Sequence, residues 1–506
     1  MFNFSLRSVF YFIRRFPFQQ YTRFISKKQT KFISNLSPEE IEKARQLRMK
    51  EVKFINPITP KTKLIASENF KELFTPELIK LSDLFKQSGY EIRIAGGAVR
   101  DLLLGKKPVD VDFASDATPQ QMIDMFTKEN IRMLHKKGEE HGTITCRIND
   151  KENFEITTLR IDVVCNGRRA EVQFTTNWQL DAFRRDLTIN SLFLKLDGTV
   201  VDYTNGIEDL ENRKVVFSGD AERRIQEDFL RILRYFRFYG RIADKPNDFD
   251  QNILDSIKRN ACGLGDISGE RIWTELKKIA VGRFASSVMK AMLGECKLNK
   301  YLGIPENCSL DHFEKVVTLN DINNLMPATP MSALFSNNDD LMRFHKRCKI
   351  SNAEKGLCEI IINSRDYLKE KLNDDSVDKF KVWRDLLIHE YYKNCMKIEA
   401  AAKERVKQLG MYMLCDSKML DEIGLIEIPC FPVDGIILKD NNFPKGPAVK
   451  FILDNCFTKW IKSDYTMSLE DLLAYGRRLE IPEEVTNPHL NRKKNKKNRS
   501  CCNSNS

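Results

Sequence analysis

The sequence predicts an α+β protein, with a small mixed-sheet head of ~140 residues followed by an all-helical remainder. Three observations predict it. Short apolar strands alternate with helical stretches between about residue 62 and 200. After about residue 220 the texture changes to long helical periodicities, clearest at 223–242, 269–282 and 397–414. At 506 residues the chain exceeds one domain of ~150 residues, and no repeat of fixed period runs through it. With 42% hydrophobic and 30% charged residues, composition is ordinary for a globular chain and excludes long disordered or collagen-like classes.

The elements follow in order. EIRIAGG (91–97) reads as a strand running into a glycine turn, and 98–104 begin a helix. VDVDFA (109–114) is a second strand, and Asp116-Ala-Thr-Pro119 caps a helix through Phe126. TITCRI and FEITTLR form a hairpin through Asn149 and Asp150.

The net charge of +11 comes from the two ends. Residues 1–38 carry seven Lys/Arg and 491–506 carry six, neither with an acid, which leaves −2 for 39–490. Bulk charge therefore gives no argument for a nucleic-acid face. The Phe-rich, acid-free N-terminus (1–35) reads as a mitochondrial transit peptide, with a basic RNA-touching arm as the alternative. Met49 could start a second product without it, for cytoplasm or nucleus. The tail 491–506 reads as a disordered basic segment. Thirteen cysteines with no C-x-x-C pair argue against a zinc ribbon or a disulfide scaffold, and the six histidines, His135 and His141 included, show no ligand spacing. No stretch approaches the ~18 apolar residues that cross a bilayer, so no membrane partner is expected.

Three constellations carry chemistry. Gly96 and Gly97 form a turn whose N–H groups, with Arg100, can hold phosphate oxygens. Two glycines alone are weak, but Asp110 and Asp112 follow on what reads as an apolar strand, both on one face. Side-by-side carboxylates repel unless a cation joins them, and they suit Mg²⁺ with substrate phosphates. Next, Arg184, Arg185 and Asp186 precede what reads as an apolar helix, either as a capping ion pair or as a triphosphate site. Finally, on one expected helix Ile225, Phe229, Leu233 and Phe236 make a core face, while Asp228, Arg231, Arg234 and Arg237 recur opposite. That row is either a solvated charged face or a reader of bases. An Asp accepting from an exocyclic amine beside an Arg donating to a ring nitrogen accepts cytosine and adenine and rejects uracil and guanine.

In order and spacing, IAGGAVRDLLLGKKPVDVDF, DAFRRDLTIN, VDYTNGIEDL, EDFLRILRYFRF and SGERIWTEL resemble motifs A to E of class II tRNA nucleotidyltransferases, the CCA-adding enzymes. The resemblance is dense over about 62–300 and thin beyond, where 446–475 is similar to the eukaryotic C-terminal segment. It implies a polymerase-beta-like nucleotidyltransferase head (60–200), a base-recognising neck (201–280), a body (281–400) and a tRNA-binding tail (401–490). Asp110 and Asp112 would hold two Mg²⁺, with Glu155 a third catalytic carboxylate. Gly96, Gly97, Arg100, Arg185 and Asp186 would contact the nucleotide, and Asp228, Arg231, Arg234 and Arg237 its base. Asp202, Gly206 and Asp209 would form a spring, and Glu270 with Arg271 would brace the neck. Asp162, Arg168, Arg169 and Glu171 fall in a segment (162–174) that resembles the loop tied to final A addition, and Arg160, just ahead of it, is grouped with them. The implied partners are CTP, ATP and the acceptor arm of tRNA, for a monomer or homodimer. A poly(A)-adding relative and a noncatalytic tRNA-binding module remain as alternatives.

Overall fold

The computed structural model describes residues 55–134, 142–166, 169–394 and 397–482, with positions 39, 42, 46 and 485 besides. The transit segment, Met49, His135, His141, Arg168 and the basic tail lie outside these. The chain forms two compact units that divide at Asn363/Ser364.

In the first unit, eight strands make one sheet. They are β1 (Lys61–Leu64), β2 (Ile92–Ala95), β3 (Asp112–Ser115), β4 (Arg132–Leu134), β5 (Thr143–Ile148), β6 (Glu152–Thr158), β9 (Phe193–Lys195) and β10 (Thr199–Asp202). Their order is β1-β10-β9-β2-β3-β6-β5-β4, and only β3 and β6 run parallel. β7 (Arg160–Asn166) and β8 (Arg169–Phe174) form a separate two-stranded ribbon. The β5–β6 hairpin turns where expected, with Asn149 and Asp150 both left-handed (φ 53° and 52°), a conformation these residue types tolerate.

Period-2 alternation gives the sheet two unlike faces. Phe113 and Ile156 enter the large core with Leu81, Phe85 and Phe126, from helices α1 (Pro76–Gln87) and α3 (Pro119–Lys128). Ala95 and Ala114 enter a smaller cluster with Trp178, Ala182 and Phe193, partly from α4 (Trp178–Arg184). Asp112 and Glu155 have the parity of that second, small-residue face, where α2 (Gly97–Leu103) starts. Small side chains there leave room for a ligand.

Sequence boundaries shift in two places. The cap of α3 is Thr118 in a capping box with Gln121, while Asp116 accepts instead from the Glu91 N–H at 2.9 Å. The strand expected at 109–114 starts only at Asp112, because β2 supplies partners no further than Ala95 before Gly96 turns away. Asp110 therefore lies on an exposed bend after Val109, which is 95% exposed.

After the sheet come α5 (Gly206–Glu211), α6 (Ala221–Glu227), α7 (Arg231–Ile242), α8 (Gln251–Asn260) and α9 (Gly269–Ala280). The helix expected to run unbroken through Asp228 is in fact two, α6 and α7. Asp228 is extended (φ −153°, ψ 107°), and its Oδ1 accepts from the Leu230 N–H at 3.2 Å, a local bond that competes with helix. Phe229 sits where Gly263 has no side chain; a Cβ there would lie 2.1 Å from the ring. That packing holds the break open. Ile225, Leu233 and Phe236 are fully buried as expected.

The second unit is helical and packs Ile388, Leu438, Ile452, Phe457 and Trp460 into its own core. Among the described residues the nine cysteines resolved in full are free, and no helix is long and apolar enough to cross a membrane.

Candidate active site

Parallel pairing of β3 with β6 puts Asp112 in register with Glu155. Both open onto a cleft of about 1210 Å³. The surrounding protein withdraws water from them nonetheless. This desolvation, then the negative charge of Asp110, pushes the Asp112 carboxyl above its ordinary value, with Arg185 partly opposing. Glu155 is raised by the same withdrawal and by Asp112. Crowded like charges of this kind are relieved by a cation. The donors are carboxylate oxygens, the chemistry a hard divalent ion takes, so the residues fit Mg²⁺. No three Asp, Glu, His or Cys groups among the described residues enclose a metal position by themselves. Asp110 belongs to this group by charge, but it does not share the strand face with Asp112, as the sequence reading had it.

Gly96 caps α2 with φ 69° and ψ −119°, a conformation open to glycine. A Cβ on Gly96 would come within 3.1 Å of Arg185 Nη1, so the turn and that guanidinium approach closely. Arg100 is buried against the Phe238 ring and donates to Asp101 (Nε, 3.0 Å) and Asn190 (Nη1, 2.5 Å). Arg184 and Arg185 share one buried carboxylate, Asp181, at 2.7 and 3.1 Å. That shared carboxylate offsets the repulsion between the two neighbouring guanidiniums.

Arg231, Arg234 and Arg237 line the same cleft, each held by a carboxylate. Arg234 Nε donates to Asp186 at 2.6 Å. Asp186 is buried, and although burial alone would raise its carboxyl, Arg234 holds it well below the usual range. Arg231 bonds Glu227 (2.7 Å) and the carbonyl of Arg184 (3.1 Å). Arg237 meets Glu275 at 3.1 Å, and Arg271 meets Asp228 at 2.7 Å. Asp228 and Arg231 thus both face the cleft, and the Arg231 N–H donates to the Asp228 carbonyl at 2.9 Å across the break between α6 and α7.

Arg160 and Asp162 also line the cleft, while the side chains of Arg169 and Glu171 lie outside the described residues. Away from the cleft wall, Asp202 accepts from the N–H groups of Thr204 and Ile207 at 2.9 Å each. Asp209 accepts from the Thr188 hydroxyl at 2.7 Å, and Gly206 packs against the Thr188 carbonyl. Glu270 is exposed at the start of α9.

Sequence reasoning missed Asp181, Asn190, Glu227, Glu275, Lys106, Lys278 and Arg283. Asp181 had a readable signal, an Asp three and four residues ahead of two arginines on a helix. Glu227 stands four residues before Arg231 and Asn190 four after Asp186, spacings that were equally readable, while Glu275, Lys106, Lys278 and Arg283 reach the site through tertiary packing. The cleft is lined by eleven Lys/Arg and six Asp/Glu, an excess suited to a polyanion in a chain whose middle is nearly neutral.

A mixed sheet presenting carboxylates to an arginine-walled cleft defines a nucleotidyltransferase, and residues 92–216 match the family described as the poly A polymerase head domain. The chain is 47% identical over 415 residues to the mitochondrial CCA tRNA nucleotidyltransferase 1 of Homo sapiens, covering 82% of this chain and 93% of the relative. It is 44% identical over 414 residues to the Danio rerio protein of the same name, with the same coverage. The chain belongs to the CCA tRNA nucleotidyltransferases. Its fold resembles the Bacillus stearothermophilus CCA-adding enzyme in complex with CTP, with a TM-score of 0.60 at 24% identity over 81% of this chain and 98% of that one.

Proposed function

We propose that this enzyme adds C, C and A to the 3′ end of tRNA from CTP and ATP, without a nucleic-acid template, releasing pyrophosphate. The observation that carries the reading is the single cleft that joins Asp112 and Glu155 to Arg185, Asp228 and Arg231. Membership of the CCA tRNA nucleotidyltransferases supports it.

The family generally uses divalent metal ions. Two Mg²⁺ would be held by Asp110 and Asp112, with Glu155 as neighbour. When bound they would activate the RNA 3′-hydroxyl and neutralise charge on the leaving pyrophosphate. The chain's own residues do the positioning. Gly96, Gly97, Arg100 and Arg185 hold the triphosphate and sugar, and Asp186 fixes Arg234 beside them. Asp228 accepts the exocyclic amine of C or A and Arg231 donates to the ring nitrogen, with Arg234 and Arg237 closing the pocket. Arg231 is held by Glu227 and Asp228 by Arg271, so in these roles each would share its present partner with the base. The turn of Asp202, Gly206 and Asp209 is the place where head (60–200) and neck (201–280) would adjust, with Glu270 and Arg271 bracing the neck. Arg160, Asp162, Arg168, Arg169 and Glu171 would serve final A addition.

The body (281–400) and tail (401–490) would receive the acceptor arm through phosphates and shape. The working unit is a monomer or homodimer. The basic N-terminus (1–35) directs the chain to mitochondria, in keeping with the names of the human and mouse relatives, and Met49 starts a cytoplasmic or nuclear form.

Transfer of label from CTP to a tRNA lacking its last three nucleotides, compared between the wild type and Asp112→Asn, tests this. Incorporation that needs Asp112 is expected. A wild type that binds tRNA and transfers nothing would make the protein a noncatalytic binding module instead.

A further inference from the structure

Asp181 opens the segment DAFRRDLTIN and carries none of the roles assigned above, yet it is 1% exposed and takes three donors. Its Oδ1 accepts from Arg184 Nε at 2.7 Å and from the backbone N–H of Arg160 at 3.1 Å. Its Oδ2 accepts from Arg185 Nε at 3.1 Å. Burial alone would raise this carboxyl, and the two guanidiniums outweigh it, so the group stays charged.

What the carboxylate does to Arg185 goes beyond neutralising it. Asp181 grips the Nε edge, and the Phe193 ring lies 4.9 Å from the guanidinium carbon. Nη1 is left beside the Gly96 turn, 3.1 Å from where a Cβ would stand. Clamped at one edge and over one face, the fork has its orientation set before any ligand arrives. Such preorganisation costs less ordering on binding than a free arginine would. The bond to Arg160 adds a second consequence, because Arg160 opens β7, the first strand of the ribbon that pairs from Arg160 with Phe174. One side chain therefore touches the arginine at the glycine turn and the root of the ribbon.

We propose that Asp181 is a positioning residue that orients Arg185 for the nucleotide triphosphate and ties that arginine to the root of the β7–β8 ribbon. The inference rests on the nucleotide-binding reading of Arg185 given above. If Asp181 only offset buried charge, its loss would lower stability and leave the affinity of the folded fraction unchanged.

Affinities for CTP and ATP are measured by calorimetry with Mg²⁺ and without RNA, so failure of the RNA-extension reading leaves this result interpretable. Three variants of the full chain are compared: Asp181→Asn, Asp181→Glu, and Asp181→Asn combined with Arg184→Gln. The last removes one charge of each sign and carries the test if Asp181→Asn does not fold. The Kd for both nucleotides is expected to rise about tenfold in Asp181→Asn and in the double variant, with partial recovery in Asp181→Glu. Hydrogen-exchange protection of the Arg160 amide should fall in the same two. A Kd within about twofold of the wild type in folded variants, with only the melting temperature lowered, overturns the proposal.

Discussion

Arg271 of α9 donates to Oδ2 of Asp228 at 2.7 Å, and so occupies one oxygen of the carboxylate proposed to read the base. The same Asp228 spends Oδ1 on the Leu230 N–H. Both contacts fix the carboxylate at the break between α6 and α7. On the proposed reading of Asp228, helix α9 would bear on base selection without touching the base.

Asp228→Ala should relax selection, letting UTP in at roughly tenfold higher relative efficiency, since one hydrogen bond to a charged group is removed. Arg271→Ala should move in the same direction by less, and the double variant should fall short of the sum because the residues act together. Competition between CTP and UTP on a tRNA ending before its CCA measures it. Unchanged rejection of UTP in Asp228→Ala removes that residue from the reading role.

Asp112→Asn should cut transfer by about a thousandfold or more while leaving the fold intact, because several kcal/mol of charge stabilisation is lost. Mg²⁺ should raise the melting temperature of the wild type and do so much less in this variant. Relief of the repulsion between Asp112 and Glu155 is the source of that gain. An active Asp112→Asn sinks the metal assignment.

Gly206→Ala should destabilise the first unit by about 1–3 kcal/mol, the cost of overpacking a tight site. Its Cβ would stand 2.2 Å from the Thr188 carbonyl oxygen, so backbone must shift. Thermal denaturation of the variant checks this, and an unchanged melting temperature would show that the turn yields freely.

Asp186 has a folded-state carboxyl held below its unfolded value by Arg234 against the opposing effect of burial. Its contribution is therefore fully present above the unfolded value of ~3.9 and lost as pH falls below that toward the lower folded value. Asp186→Asn should be less stable at neutral pH and should lose less stability than the wild type between about pH 4 and 2. Acid unfolding followed by circular dichroism measures both slopes.

The parts legible in the sequence are those fixed by near neighbours. The β2 strand, its glycine turn and α2 follow from alternation and two glycines, and the β5–β6 hairpin from Asn149 and Asp150. The α6–α7 break was not legible, because Gly263, which makes room for Phe229, is distant in the chain. Strand β3 began late for a similar reason: its partner β2 ends at Ala95, and an apolar run cannot show where a neighbour stops. Among site residues, the aspartates and arginines stood out by type and spacing. Their distant partners do not, since Glu275 resembles any solvent-facing glutamate until packing brings it to Arg237, 38 residues away; Glu227, four residues before Arg231, carries a local signal. Arg184 and Arg185 read as short of an anion only until Asp181, one helical turn earlier, is counted with them.

The most direct measurement is the sequence of the 3′ ends formed when the purified enzyme and Mg²⁺ meet a tRNA lacking its last three nucleotides. Ends should stop at CC with CTP alone and finish as CCA with CTP and ATP together. Runs of A from ATP alone, with no use of CTP, would contradict the account and place the chain with the poly(A)-adding relatives.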